Sequence, residues 1–186
     1  NTKHLAEFEE LLRRAQHDFA ALLGQDWRSH PQKPLVGVVG EFYVRLDSTA
    51  NQNILKKLEA EGAETWLAPA TEFFGYVNYL GRMLSKDRLK DCGWSRDEVR
   101  EYITRSVNVR LATKDEHALY HASTPFLEDR YDIGPGEVIA EGSKYVDYNF
   151  GGEAICSMGK SEDFARRGLA GIVSEIPFNS MPGNTV

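Results

Sequence analysis

Leu35-Val36-Gly37-Val38-Val39, followed by Gly40 and Glu41, is the stretch that decides the fold. Five residues without a polar alternation read as a strand covered on both faces. Downstream, Ile54, Leu55, Leu58 and Ala60 recur at helical spacing, and Gly62 closes that helix. Ser48 or Thr49 is available as its cap. Thr65-Trp66-Leu67-Ala68, ended by Pro69, is a second short strand. Strand, helix and strand within roughly 35 residues form a βαβ unit, whose crossover is right-handed. At the far end Gly171-Ile172-Val173-Ser174-Glu175-Ile176 reads as a third buried strand, and Pro177-Phe178-Asn179-Ser180-Met181-Pro182-Gly183 as the tight loop after it. The pattern predicts an α/β fold, a three-layer sandwich around a small parallel sheet that amounts to half of a Rossmann- or flavodoxin-like arrangement.

The flanking segments are helical. Leu5, Phe8, Leu11, Leu12, Ala15, Phe19 and Leu22 give residues 3–23 an amphipathic stripe, and Gly24 stands where a C-terminal cap belongs. That stripe is expected to pack on the domain that follows, the alternative being a docking face for a partner. Residues 1–30 are thus a leading helix and linker, and 31–186 an α/β domain with a less regular helical insertion at about 71–132. Within the insertion, Phe73, Phe74, Tyr76, Val77 and Leu80 suit a buried helix. Val99, Ile103, Val107 and Leu111 step by four, and Leu119, Ala122 and Phe126 line a third helix. Ser123-Thr124-Pro125 and Gly134-Pro135-Gly136 read as breaks. A short helix over Glu137–Tyr145, a turn at Asp147–Gly152 and a helix from Ala154 to about Gly168 complete the plan. The absence of an initiator methionine and the abrupt end read as a piece of a longer protein.

The chain has 186 residues and a net charge of −6, which argues against a nucleic-acid partner, since non-specific binding needs a basic surface. No apolar run approaches a membrane span, so no membrane partner is expected. Cys92 and Cys156 form no C-x-x-C pair, which predicts a reduced, cytoplasmic protein.

Several motifs compete with plainer readings. Gly152–Ser161 ends in Gly-Lys-Ser, but a P-loop needs a glycine where Ala154 stands and a strand running into it. Gly37-x-x-Gly40 lacks the third glycine of a dinucleotide fingerprint, and Gly40 serves a sharp turn. His117 and His121 share a helix face without a third ligand, so a solvated face outweighs a metal site. Cys156 reads as a small buried hydrophobe and Cys92 as incidental. Glu41, Arg45 and Asp47 are either a solvated charge cluster or part of a site. The fold favours a site, because it brings three segments to one edge of the sheet: Glu41–Asp47, the helix start at Asn149–Gly152, and Phe178–Gly183.

Five blocks occur in order: Val38-Val39-Gly40-Glu41-Phe42-Tyr43-Val44-Arg45, Glu64-Thr65-Trp66-Leu67-Ala68-Pro69, Gly142-Ser143-Lys144-Tyr145-Val146-Asp147-Tyr148, Gly151-Gly152-Glu153-Ala154, and Ile176-Pro177-Phe178-x-x-Met181-Pro182-Gly183. Together they resemble the large CoA-substrate-specific enzyme activases, which carry a region similar to the 2-hydroxyacyl-CoA dehydratase component. The resemblance covers roughly Lys33–Ala70 and Gly134–Val186. It implies an ATP-driven system in which an activase ATPase passes a low-potential electron from a [4Fe–4S] cluster to a dehydratase-type component acting on CoA thioesters. Cluster ligands in such proteins are cysteine thiolates. The family's closing loop reads P-F-x-C-M-P-G, and here Ser180 occupies the cysteine position, where its alkoxide would be a poor iron ligand. The ATPase's glycine-rich phosphate motif is absent.

The resemblance therefore implies an α/β domain contributing to a site for an iron–sulfur cluster or an acyl-CoA thioester. Glu41 and Arg45 would be polar contacts or a proton-transfer pair. Asn149, Gly151 and Gly152 would form an anion-binding helix start, and Asn179 and Ser180 would bind the cofactor, with Ser180 the degenerate metal-ligand position. A cluster is expected in the full-length protein only, with the remaining domains or an activase ATPase as partners. The alternative is a non-catalytic assembly or docking domain that has lost the cluster.

Overall fold

The computed structural model describes residues 2–23, 32–91, 93–127 and 130–181, with the side chains of residues 2, 3 and 121–127 left out. Two compact units emerge: one takes the residues up to Gln32 with Val107–Asp132, the other Lys33–Ser106 with the residues from Ile133 onward.

The second unit holds a three-stranded parallel sheet in the order β2-β1-β3, formed by β1 (Leu35–Gly40), β2 (Glu64–Leu67) and β3 (Gly171–Glu175). Gly37 lies opposite Trp66 on one side and Ile172 on the other, and Val38 opposite Leu67 and Val173. Central β1 reads as an unbroken apolar run because both of its faces are covered: Val38 and Val39 are wholly buried. Around the sheet lie α2 (Phe42–Leu46), α3 (Ile54–Ala60), α4 (Ala70–Asp91), the first part of α5 (Arg96–Leu127), α6 (Pro135–Gly142) and α7 (Ala154–Arg166). The α/β character holds, with far more helix than strand.

Among the described residues two clusters make the core of this unit. Val39, Trp66, Ala68 and Phe164 pack α7 against the sheet. Gly37 permits this, since a Cβ there would lie 2.2 Å from the Phe164 ring. Tyr76, Val138, Ile139, Ile155 and Cys156 join α4, α6 and α7. Cys156 is the small buried hydrophobe expected. Reciprocal glycines bring α6 and α7 together: a Cβ on Gly142 would meet the Ile155 carbonyl oxygen at 2.1 Å, and one on Gly159 that of Val138 at 2.0 Å. Gly159 is thus a packing glycine in mid-helix. Its neighbour Lys160 is buried, donates to Asp163 at 2.9 Å and lies over the Phe164 and Trp66 rings. No phosphate loop exists in this segment.

Several expectations need correction. The loop after β1 is the short helix α2, because Glu41 caps it by accepting from the Val44 N–H at 2.7 Å. Neither Ser48 nor Thr49 caps α3. Its N-cap is Asn53 in the left-handed region, and Asp47 instead accepts from the Thr49 and Ala50 N–H groups in an Asx turn. The region 71–132 is more regular than expected. Two long helices, α4 and α5, fill most of it, and α5 runs through Ser123-Thr124-Pro125 to Leu127. Ile103, Val107 and Leu111 do lie on a helix, but they are exposed and mark no buried face.

The first unit contains α1 (Thr2–Leu23), whose charged side carries Glu10–Arg14 and Glu9–Arg13 pairs one turn apart. Its apolar stripe stays on the surface, with Phe8 50% and Leu22 82% exposed. On α5, His117 stacks on Tyr131 and shares a 2.8 Å hydrogen bond with its hydroxyl. The side chain of His121, like Cys92, Pro182 and Gly183, lies outside the described residues.

Candidate functional site

The carboxyl ends of β1 and β3 are tied where Glu41 N–H donates to the Glu175 carbonyl at 2.8 Å. Gly40 makes the turn, with φ +119°, and a Cβ there would lie 2.0 Å from the same Glu175 oxygen. The start of α2 leaves backbone N–H groups without helical acceptors, and two carboxylates take them. Glu41 accepts from Val44, and Glu153, 111 residues further on, accepts from Phe42 at 2.7 Å.

Arg45, on α2, turns into the protein and is 2% exposed. Its Nη1 donates to Glu72 at 3.0 Å and its Nη2 to the Pro69 carbonyl at 3.3 Å, while its own carbonyl accepts from Asn51. Its Nε is buried with no hydrogen-bond partner among the described residues. Beside it, the Tyr76 hydroxyl donates to the Gly152 carbonyl at 2.7 Å. Burial pushes the Tyr76 phenol up to about 12, with Cys156 and Glu153 adding to the shift. Burial also raises the Cys156 thiol well above its usual range, reinforced by Glu72 and Glu153 and opposed by Arg45. The Glu153 carboxyl rises as well, first through burial and then through Glu41, against the Phe42 N–H and Arg45. Such a carboxyl is suited to holding and passing a proton.

The candidate residues thus fall into a joined set and an outlying set. Glu41 and Arg45 both stand at the strand ends, but they do not pair: Glu41 caps α2 and Arg45 binds Glu72. Gly151 and Gly152 have φ of 72° and 75°, which turns the chain so that Gly152 faces Tyr76 and Glu153 faces Phe42. Asn149 is exposed, its N–H donating to Asp147 within a single 3₁₀ turn, Tyr148–Phe150. Asn179 and Ser180 lie beyond β3 in a turn closed by Ser180 N–H donating to Pro177 at 3.1 Å. Glu72, Tyr76 and Glu153 complete the cluster and were not singled out from sequence. Glu153 had a signal, standing beside two glycines at a helix start. Glu72 and Tyr76 had none beyond helical spacing.

These residues do not fit a [4Fe–4S] cluster, which takes thiolates. Among the described residues the one cysteine, Cys156, lies in the core with its thiol held protonated, and no group of three His, Cys, Asp or Glu side chains is poised for a metal. No described helix is long and apolar enough to cross a membrane. Comparisons of the chain with protein-family models, curated proteins and solved structures give no match.

Proposed function

We propose that the second unit is an α/β domain of the CoA-substrate-specific activase or 2-hydroxyacyl-CoA dehydratase kind, working in the cytoplasm. It would supply one wall of an acyl-CoA site in ATP-driven electron transfer. Any iron–sulfur cluster would belong to the remaining domains or to an activase ATPase. The order β2-β1-β3 supports a flavodoxin-like half. Right-handed crossovers would set α3 on one face and α6 with α7 on the other, making the third layer. In that arrangement the ligand crevice falls between β1 and β3.

One observation carries the proposal. Two of the resembling blocks that are far apart in the chain are bonded to one another at that point, through Phe42 to Glu153, and the Glu41 N–H reaches Glu175, the residue just before the last block. On this reading Glu41 and Arg45 hold the loop after β1, Glu153 is the proton-bearing group, and Asn149, Gly151, Gly152, Asn179 and Ser180 face the ligand. The assembly-domain alternative draws its support from the exposed apolar stripe of α1.

Hydrogen–deuterium exchange with a titrated short-chain acyl-CoA tests the proposal. The expected result is saturable binding with slowed exchange at Gly151–Gly152 and Asn179–Ser180. Absence of both would overturn it in favour of the assembly role.

A further inference from the structure

Further along α4 the second unit opens a cleft of about 410 Å³, within the size range of small-ligand sites. Arg82, Lys86 and Lys90 line it at four-residue steps, so all three project from one face of the helix. Like charges at that spacing repel. Asp87, the one carboxylate in the lining, accepts from Lys90 at 2.8 Å and from the Tyr148 hydroxyl at 2.9 Å. These two donors hold its carboxyl below the usual range. Among the described residues Lys86 makes no hydrogen bond or ion pair, and the Arg82 guanidinium lies over the Tyr79 ring at 4.5 Å without a carboxylate partner. The cleft therefore carries surplus positive charge on a chain whose net charge is −6. The remaining walls include the rings of Tyr79, Tyr102 and Tyr148. Cations beside flat rings with phenolic hydroxyls recognise an anion that itself carries a ring.

We propose that this cleft binds the phosphorylated adenosine end of a CoA-type ligand, with phosphates on Arg82 and Lys86 and the base against the tyrosine rings. The anion class follows from the cleft itself, whereas the choice of CoA rests on the acyl-CoA reading above. The two sites share a helix. Tyr76 bonds Gly152 at the strand ends, and Lys86 lies ten residues further on, about 15 Å at 1.5 Å per residue. An extended pantetheine arm bridges such a span, which would set the thioester at the strand ends.

Isothermal titration with adenosine 3′,5′-bisphosphate, CoA and inorganic phosphate tests this on the wild-type chain and on Lys86→Glu. Lys86 is exposed and its replacement removes the repulsion from Arg82 and Lys90, so the variant is expected to unfold at a urea midpoint no lower than that of the wild type. The bisphosphate and CoA should bind saturably and lose about tenfold or more in affinity in the variant, the effect of removing one charge-assisted contact. No bisphosphate binding, or binding that Lys86→Glu leaves unchanged, overturns the cleft even where an acyl-CoA still protects the strand-end amides. Inorganic phosphate binding as tightly as the bisphosphate overturns the adenosine assignment. Bisphosphate binding that weakens in the variant, without strand-end protection by acyl-CoA, upholds the cleft and sinks the acyl-CoA reading instead.

Discussion

Replacing Gly159 by alanine sets two effects of opposite sign against each other. In an open helix the change is favourable by about 1 kcal/mol, because alanine loses less backbone entropy. Here the new Cβ would lie 2.0 Å from the Val138 carbonyl oxygen, where ordinary contact begins at 3.4 Å. The obstacle is backbone, so it cannot swing aside as a flexible side chain would. Relief requires α6 and α7 to part by up to about 1.4 Å, and a gap of 0.5–1 Å already forfeits a quarter to a half of each dispersion contact. The layer affected includes Val138, Ile139, Ile155 and Cys156. Overpacking of this kind costs about 1–3 kcal/mol, and the rigid obstacle puts Gly159 at the upper end. Subtracting the helix gain leaves a net loss of about 2 kcal/mol. For a chain of this length that is a fall of roughly 4–8 °C in Tm. Urea titration read by the fluorescence of Trp66, buried beside Phe164, gives the measurement. Gly171→Ala is the control: nothing lies within 4 Å of its added Cβ, and the expected change is a gain of about 0.4–1 kcal/mol. If Gly159→Ala is as stable as wild type, or more so, the helices are not held at the spacing claimed.

Two further changes probe the strand ends. Glu153 has its folded-state carboxyl raised above the ordinary 4.5, so the native state binds a proton that the unfolded chain has released. Stability from this group is therefore fully present below 4.5 and lost as pH rises through the folded value. Glu153→Gln removes that loss, and urea midpoints from about pH 4 to 7 should show the variant gaining on wild type with rising pH, by at most about 1.4 kcal/mol per pH unit; parallel profiles would refute the assignment. Arg45→Met leaves the Glu72 carboxylate buried without its guanidinium and should cost about 3–5 kcal/mol in the same titration, with Glu72→Leu added in the double variant recovering part of it. A double variant as unstable as the sum of the two single ones would show the pair to be uncoupled.

The sheet was legible because its signals are local. Leu35–Val39, Thr65–Ala68 and Gly171–Ile176 are short apolar runs between breakers, and each became a strand within a residue or two of its predicted ends. The glycines were only half legible. Gly40 could be read as a turn, but Gly37, Gly142 and Gly159 are required by Phe164, Ile155 and Val138, partners between 13 and 127 residues away. For the same reason Gly159-Lys160-Ser161 imitates a phosphate loop. Only the fold shows that the glycine admits α6 and that the lysine pairs with Asp163 over two aromatic rings. The spacing of Val99, Ile103, Val107 and Leu111 gave the right element but not its burial, since periodicity reports a helix without reporting what covers it.

The same distinction applies to the strand-end charges. Position pointed to Glu41 and Arg45, which stand at the sheet edge as expected, but position says nothing of what their charges are already bound to. The Glu41 carboxylate caps α2, and the Arg45 guanidinium binds Glu72 and Pro69. An arginine so placed does not release a proton, so it acts here by fixing the loop after β1 and by setting the potential felt by Glu153 and Cys156. Glu153 is a carboxyl whose proton affinity burial raises, and it is attached to the loop after β1 by one backbone N–H. A ligand that displaced the Phe42 N–H from Glu153 would remove a hydrogen bond favouring the carboxylate and raise its proton affinity further. Binding at the strand ends, on the proposed function, would thereby be coupled to proton uptake at Glu153 through a single hydrogen bond.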